Sequence, residues 1–356
     1  MTDNIKGLPV FTGCSAGVAH LVRDEGVAGS NPVIPKLNTM IVELWGVRGS
    51  IAAPLRNDEY RQKLHGVLRH AMEKGLPAPD SIDDFIKELP MDLRYVFGGD
   101  TTCISITTDS EIPYIIDCGT GIRPLGDQLM GGECGKGRGG VSIFQTHTHW
   151  DHIQGLPFFK PLYIPGNEMH FYSPFEDIET RISRQMLDQY FPMSFEATAS
   201  KKNFHVLTEE TIVMPDGTTV DWHPMKHPGG SFAYRFRKNG RTFIFATDAE
   251  FTGEDLEKPG YQTDFFMNAD LLILDSQYSL DEAFSRFDWG HTSFTMAVNC
   301  GIRWNVKNLV LTHHEPAYSD SHLYENFRQA IEHRNYMKTD LPRLFIARQG
   351  MKFRLG

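Results

Sequence analysis

Three imidazoles and a carboxylate fall within six positions of this chain, at His147, His149, Asp151 and His152 in the run HTHWDH. A polar group buried without a partner costs about 1–3 kcal/mol, so the four cannot share an interior unless something satisfies them together. A metal cation would do so. The residues just before them, Val141, Ile143 and Phe144, are β-branched or aromatic and read as a buried strand that ends in the polar tract. In extended backbone His147 and His149 share one side, while Asp151 and His152, at the bend that follows, can face an adjacent position. The spacing therefore suits two neighbouring cations better than one. Imidazole and carboxylate without thiolate suit zinc, manganese or iron. A pair of such ions lowers the pKa of a water between them and neutralises the oxygens of a bond under attack, which is hydrolase chemistry.

Holding such a loop requires a sheet, and the chain from residue 40 onward reads as strands interleaved with helices. A strand is expected over IVELWG, with others opening after Gly98-Gly99 and over IPYIID, then at 169–172, at SFAYRF, at RTFIFA, at LLILD and at 308–312. Helices are expected at 177–190, from near Thr292, and at 321–333, with closing strands near 344–347 and 351–355. Residues 57–95, rich in Glu, Lys, Leu and Met, read as two helices inserted at the sheet edge, the second capped by Ser81, and are expected to form a lid or a homodimer contact. No long polar linker interrupts residues 40–356, so one catalytic domain is expected there. Residues 1–38 lack apolar periodicity and are expected to be a disordered or non-native extension, with Met40 as the natural start. Their stretch AHLVRDEGVAGSNPVIP resembles the conceptual translation of a transfer-RNA gene.

Composition narrows the class. The chain has 356 residues, 40% of them hydrophobic and 22% charged, enough to bury a sizeable core. A net charge of −10 disfavours wide contact with a phosphate backbone, so extensive nucleic-acid binding is not expected. Cys14, Cys103, Cys118, Cys134 and Cys300 are odd in number and form no CxxC pair, which argues for a reducing cytoplasm. No apolar run is long enough to span a membrane.

The run HTHWDH follows the H-x-H-x-D-H pattern of the metallo-β-lactamase superfamily, and the chain resembles that family over nearly all of residues 40–356. Trp45 to Ser50 (WGVRGS), Gly98 to Cys103 (GGDTTC) and Asp117 to Gly126 (DCGTGIRPLG) resemble stretches of its cyclic-nucleotide-phosphodiesterase-like, tRNase Z-related subgroup. Asp100 departs from the Asn usual there. The resemblance implies an α/β fold, the four-layer αββα sandwich of two mixed sheets flanked by helices. It also implies a two-cation site: His147, His149 and His227 for one ion, Asp151, His152 and His313 for the other, and Asp248 shared. His223 is the fallback for His227, and His314 the near alternative to His313. Asp151 and His291 are the candidate catalytic residues, His291 meeting the phosphate as in the related His-Ser-Thr and Gly-His-Ser motifs. Asp117 and Asp275 are expected to support ligands from behind, and Arg48 to contact an anion or form a structural salt bridge.

The implied activity is hydrolysis of a small phosphodiester such as a cyclic nucleotide, with two divalent ions, zinc first. A lactone or other ester hydrolase and a tRNase Z-like RNA endonuclease are the alternatives. The resemblance to tRNase Z would bring a basic arm between the third and fourth metal motifs, yet only 20 residues separate His227 from Asp248. β-Lactam hydrolysis fits poorly because those enzymes lack a counterpart of His291. A flavin-linked di-iron oxidoreductase would need a further domain, and a silent binding module would be expected to have lost a ligand.

Overall fold

The computed structural model describes residues 39–110, 112–257 and 261–356, and the expected extension over residues 1–38 lies outside them. In chain order the strands are β1 (Met40–Gly46), β2 (Cys103–Thr107), β3 (Tyr114–Ile116), β4 (Gly140–Phe144), β5 (Glu168–Ser173) and β6 (Lys201–Val206). They continue with β7 (Thr211–Val213), β8 (Thr219–Met225), β9 (Ser231–Lys238), β10 (Arg241–Ala246), β11 (Leu271–Asp275), β12 (Asn308–Thr312), β13 (Arg343–Ile346) and β14 (Lys352–Leu355). Two seven-stranded sheets result, ordered β14-β1-β2-β3-β4-β5-β6 and β13-β12-β11-β10-β9-β8-β7. Each is mixed: β3 to β6 and β10 to β13 run parallel, and the remaining neighbours antiparallel.

The residue patterns explain the layering. β1 alternates buried and half-buried positions, so Met40, Val42 and Leu44 face the other sheet. β11 and β12 are buried at every position because helices cover their second face. Three apolar clusters separate four layers. One lies between the sheets, where Phe144 meets Phe236 edge-on with ring centres 5.1 Å apart. A second joins Val141, Ile143 and Phe171 to Ile122, Leu125 and Ile178 on the outside of the first sheet. The third joins Leu272 and Leu274 to Ala297, Val298 and Phe327 outside the second. This is the αββα sandwich.

Between β1 and β2 the chain forms three helices where two were expected, Asn57–Lys74, Ile82–Glu88 and Met91–Arg94. Ser81 precedes the second, but its hydroxyl donates to the Ala78 carbonyl at 3.0 Å and makes no cap bond. Lys63 fastens this insertion to Asp320 at 2.9 Å, beside the loop that leaves β12. The helix expected over 177–190 is the shorter Ile178–Arg184. The helix expected from Thr292 begins at Phe294 behind Ser293, whose hydroxyl accepts from the Met296 N–H. No helix is long and apolar enough to cross a membrane among the described residues.

Candidate metal centre

Parallel strands present their carboxyl ends to one edge, and five of those ends converge here. β3 is followed by Asp117, β4 by His147 to His152, β10 by Asp248, β11 ends at Asp275, and β12 is followed by His313. His227 lies two residues beyond β8, which runs in the same direction as β10 because both pair antiparallel with β9. Asp117, Asp248 and His313 have left-handed backbones, with φ of 60°, 56° and 62°. Such geometry costs on the order of 1 kcal/mol per residue and is characteristic of functional turns. It lets a side chain leave the strand end sideways, into the gap between the sheets' edges.

There the donor atoms gather into two sets. His147, His149, His227 and Asp248 each offer an atom within 4.8 Å of the others, and so do Asp151, His152, Asp248 and His313. Asp248 divides its oxygens between them. Oδ1 lies 3.6 Å from Nε2 of both His147 and His227, whereas Oδ2 lies 2.9 Å from His152 Nε2 and 3.2 Å from His313 Nε2. Asp151 Oδ2 completes the second set, 3.1 Å from His313 Nε2 and 3.3 Å from His152 Nε2. His149 turns Nδ1 toward the first set, 3.0 Å from His227 Nε2.

Supporting groups hold these rings. Asp117 accepts from His152 Nδ1 at 2.7 Å and from the Thr146 N–H, the Thr146 hydroxyl and Gln145 Nε2 at 2.8 Å each. His227 Nδ1 is 3.0 Å from the Gly290 carbonyl, which leaves Nε2 facing the cluster. Gly290 has a φ of 85° and abuts the His227 ring, so a side chain there would displace it. Gly49 lies against the His313 ring in the same way, and Ser50 donates its N–H to Asp151 at 2.7 Å. Asp275 lies 2.8 Å from His291 Nδ1 and accepts the N–H groups of Asp248, Thr292 and Gln277, contacts that suit an orienting carboxylate. It also approaches His291 and His313 closely enough to form a third potential donor group. Its existing hydrogen bonds favour the orienting role.

Three sequence candidates turn away from the donor sets. Arg48 is buried, donating to the carbonyls of Gly98, Glu315 and Tyr318 with Asp320 at 3.8 Å, so it clamps the loop after His313, as the structural alternative among its two expected roles would have it. His314 turns away from the donors to the Ala347 carbonyl at 2.9 Å. His223 packs against Phe265 and Phe266 on β8, apart from both donor sets. Thr146, Gln145, Gly290, Gly49 and Ser50 went unpredicted as site residues. Adjacency to the histidine motif could have signalled the first two, Gly49 and Ser50 end the stretch Trp45 to Ser50, and Gly290 is the glycine just before His291 in the segment that resembles the Gly-His-Ser motif.

The electrostatics ask for positive charge at the centre. Burial works against charging His152, but Asp248, Asp151 and Asp117 outweigh it and hold the imidazole well above its usual range. His313, also opposed by burial, is raised to about 9, mainly by Asp248. Asp248 in turn is held well below the carboxylate range by His313, His152 and His147 in spite of burial. His147 moves the other way, lowered by burial and then by His152. Among the described residues, His147 Nε2 is buried with no hydrogen-bond partner, and His152 Nε2 and Asp248 Oδ2, 2.9 Å apart, are buried facing only other donors of the cluster. Buried polar atoms rarely remain unsatisfied, and here they converge with nitrogen and carboxylate chemistry that fits divalent cations.

A family model described as a β-lactamase superfamily domain matches residues 114–314, more than half of the chain and all of the donors named above. The chain belongs to the β-lactamase superfamily. It is a hydrolase of that superfamily. Among curated proteins it is similar to a ribonuclease Z of Prochlorococcus marinus, 25% identical over 270 residues, 62% of this chain and 83% of the relative. Among solved structures it is similar to the metallo-β-lactamase fold protein YhfI of Bacillus subtilis, with a TM-score of 0.58 and 16% identity over 89% of this chain and 99% of the other. Yeast PDE1 aligns with a TM-score of 0.54 and 14% identity over 89% and 99%. These structural likenesses establish the metallo-β-lactamase fold.

Proposed function

We propose that this hydrolase cleaves a phosphodiester bond in a small substrate such as a cyclic nucleotide, using two divalent cations, zinc foremost. The observation that carries the reading is the division of Asp248, one oxygen toward each set of histidines, with His291 held beside both. Two cations held by His147, His149, His227 and Asp248, and by Asp151, His152, His313 and Asp248, would supply an ionised water and charge neutralisation for phosphate oxygens. The chain's own groups do the rest. Asp275 at 2.8 Å from His291 Nδ1 fixes that ring, so Nε2 can hydrogen-bond a phosphate oxygen or protonate the leaving oxygen. Asp117 makes His152 a better donor to a cation by accepting its other ring proton, and the Gly290 carbonyl does the same for His227. Asp151, braced by the Ser50 N–H, keeps its carboxylate turned inward.

A second reading, RNA cleavage, is favoured by the likeness to ribonuclease Z. Against it, β9 and β10 are joined by Asn239 and Gly240 alone, so no arm projects between His227 and Asp248, and the net charge is −10. We therefore rank the small phosphodiester first. Metal-loaded protein should be incubated with bis-p-nitrophenyl phosphate, cyclic AMP, a transfer-RNA precursor with a 3′ trailer, a lactone and nitrocefin. Turnover of the first two is expected. Turnover confined to the lactone or nitrocefin would overturn the assignment, and turnover confined to the precursor would select the RNA reading.

A further inference from the structure

Next to the donor loop lies a cleft of about 690 Å³ that the hydrolytic machinery does not use. Its size is that of a small-ligand site. Trp150, set between His149 and Asp151, is 81% exposed on its wall, and Tyr190 and Phe158 face it at 75% and 58% exposure. Single exposed aromatics are ordinary on a protein surface, but three converging on one concavity are not. Arg181 and Arg184 supply guanidinium groups to the same wall. Gln185, also on the wall, has a side-chain amide nitrogen that is buried with no hydrogen-bond partner among the described residues. As the side chain stands this nitrogen is shielded from solvent, and a rotation about its own torsions would bring the amide to a ligand in the cleft.

The cleft adjoins the donor cluster, since Thr148 and Trp150, on either side of His149, both line it. Arg181 stacks on Phe175 with its guanidinium carbon 3.9 Å from the ring centre. Phe175 borders Gly230, and the neighbouring Gly229 borders the His149 ring. A molecule whose phosphate sits at the histidines can thus extend along this wall.

Building on the phosphodiesterase reading, we infer that the cleft is a nucleobase subsite: the substrate's base stacks on Trp150 and Tyr190, and Gln185 hydrogen-bonds its edge. Aromatic faces hold any base through its π-face, guanidinium planes add stacking and donors, and an amide matches the donor and acceptor pairs on a base edge. An alkyl or acyl substituent would leave Gln185 unsatisfied.

The test compares two esters with the same leaving group, thymidine 5′-p-nitrophenyl phosphate and methyl p-nitrophenyl phosphate, on the metal-loaded full chain. Tyr190→Ala and Gln185→Leu are each expected to lower the ratio of kcat/KM for the nucleoside ester over the methyl ester by about 10- to 100-fold. A ratio unchanged in both variants overturns the proposal. In parallel, AMP binding is followed by tryptophan fluorescence without reference to turnover. Weakening of at least about tenfold in Tyr190→Ala is expected, and equal affinity in wild type and variant counts against the cleft. If AMP binding depends on Tyr190 but no phosphodiester is hydrolysed, the cleft assignment stands and the phosphodiesterase reading falls. Repeating the comparison with cyclic AMP and with a short RNA distinguishes the base of a free nucleotide from that of a chain end.

Discussion

The two halves of the donor cluster are built from different materials. One has three imidazoles, with His149 exposed and His227 half-buried, and its negative charge comes from Asp248 Oδ1. The other is buried throughout and holds Asp151 and Asp248 against His152 and His313, with Asp117 behind one ring and Asp275 behind the other. Their proton affinities diverge accordingly. Burial holds His147, His149 and His227 below the usual imidazole range, whereas the surrounding carboxylates override burial and raise His152 and His313. The buried half is thus organised by negative charge that a cation offsets, and the open half by neutral nitrogen donors at the solvent edge. Substrate is expected to arrive on the open side.

Removing the shared residue should erase the distinction. Asp248→Ala is expected to lose both ions by elemental analysis and to lower kcat/KM by about a thousandfold or more, since a bound cation pair would supply several kcal/mol of transition-state stabilisation. Retention of both ions with full activity would refute the ligand scheme. His291→Gln should leave metal content intact while kcat falls about 10²- to 10³-fold, because it lies outside both donor sets.

The halves should separate under milder changes. Asp117→Asn is expected to weaken the buried-half ion about 10- to 100-fold, measured by chelator competition, by loosening His152. His149→Ala should instead release the open-half ion first. Equal loss of both ions in each variant would show that the halves do not act separately.

The smallest effect lies outside both halves and serves as a baseline. Burial, with Arg235 nearby, lowers His223 to about 4. Its folded pKa lies below the unfolded value near 6.5, so between these values the unfolded chain binds more protons and stability falls as pH drops. A loss on the order of 2 kcal/mol from pH 6.5 to 4 is expected in chemical denaturation with or without metal. A His223→Phe variant should flatten that slope.

Legibility followed the range of the interactions. His147 to His152 could be read directly because four chemically costly side chains sit within six positions at a strand end. Asp117, Asp248 and Asp275 were readable as carboxylates just past apolar runs, but the runs do not state that their ends meet. For His313 and His314 the choice was invisible locally. The left-handed turn at His313 sends one ring to Asp248 and leaves the next facing Ala347. Arg48 was equally ambiguous until Gly98, Glu315 and Tyr318 were seen to surround it. In the insertion, composition announced helices but not that Pro79–Ser81 would form a separate turn between them.

By itself the sequence determined the kind of chemistry, since imidazoles and carboxylates at that spacing demand a cation and apolar periodicity dictates which segments form strands. Only the tertiary structure decided which donors gather into each set, which histidine of a pair faces inward, and that an aromatic cleft adjoins the donors. Periodicity and propensity act over a few residues, whereas a site assembled from the ends of β3, β4, β10, β11 and β12 depends on the order in which those strands pair.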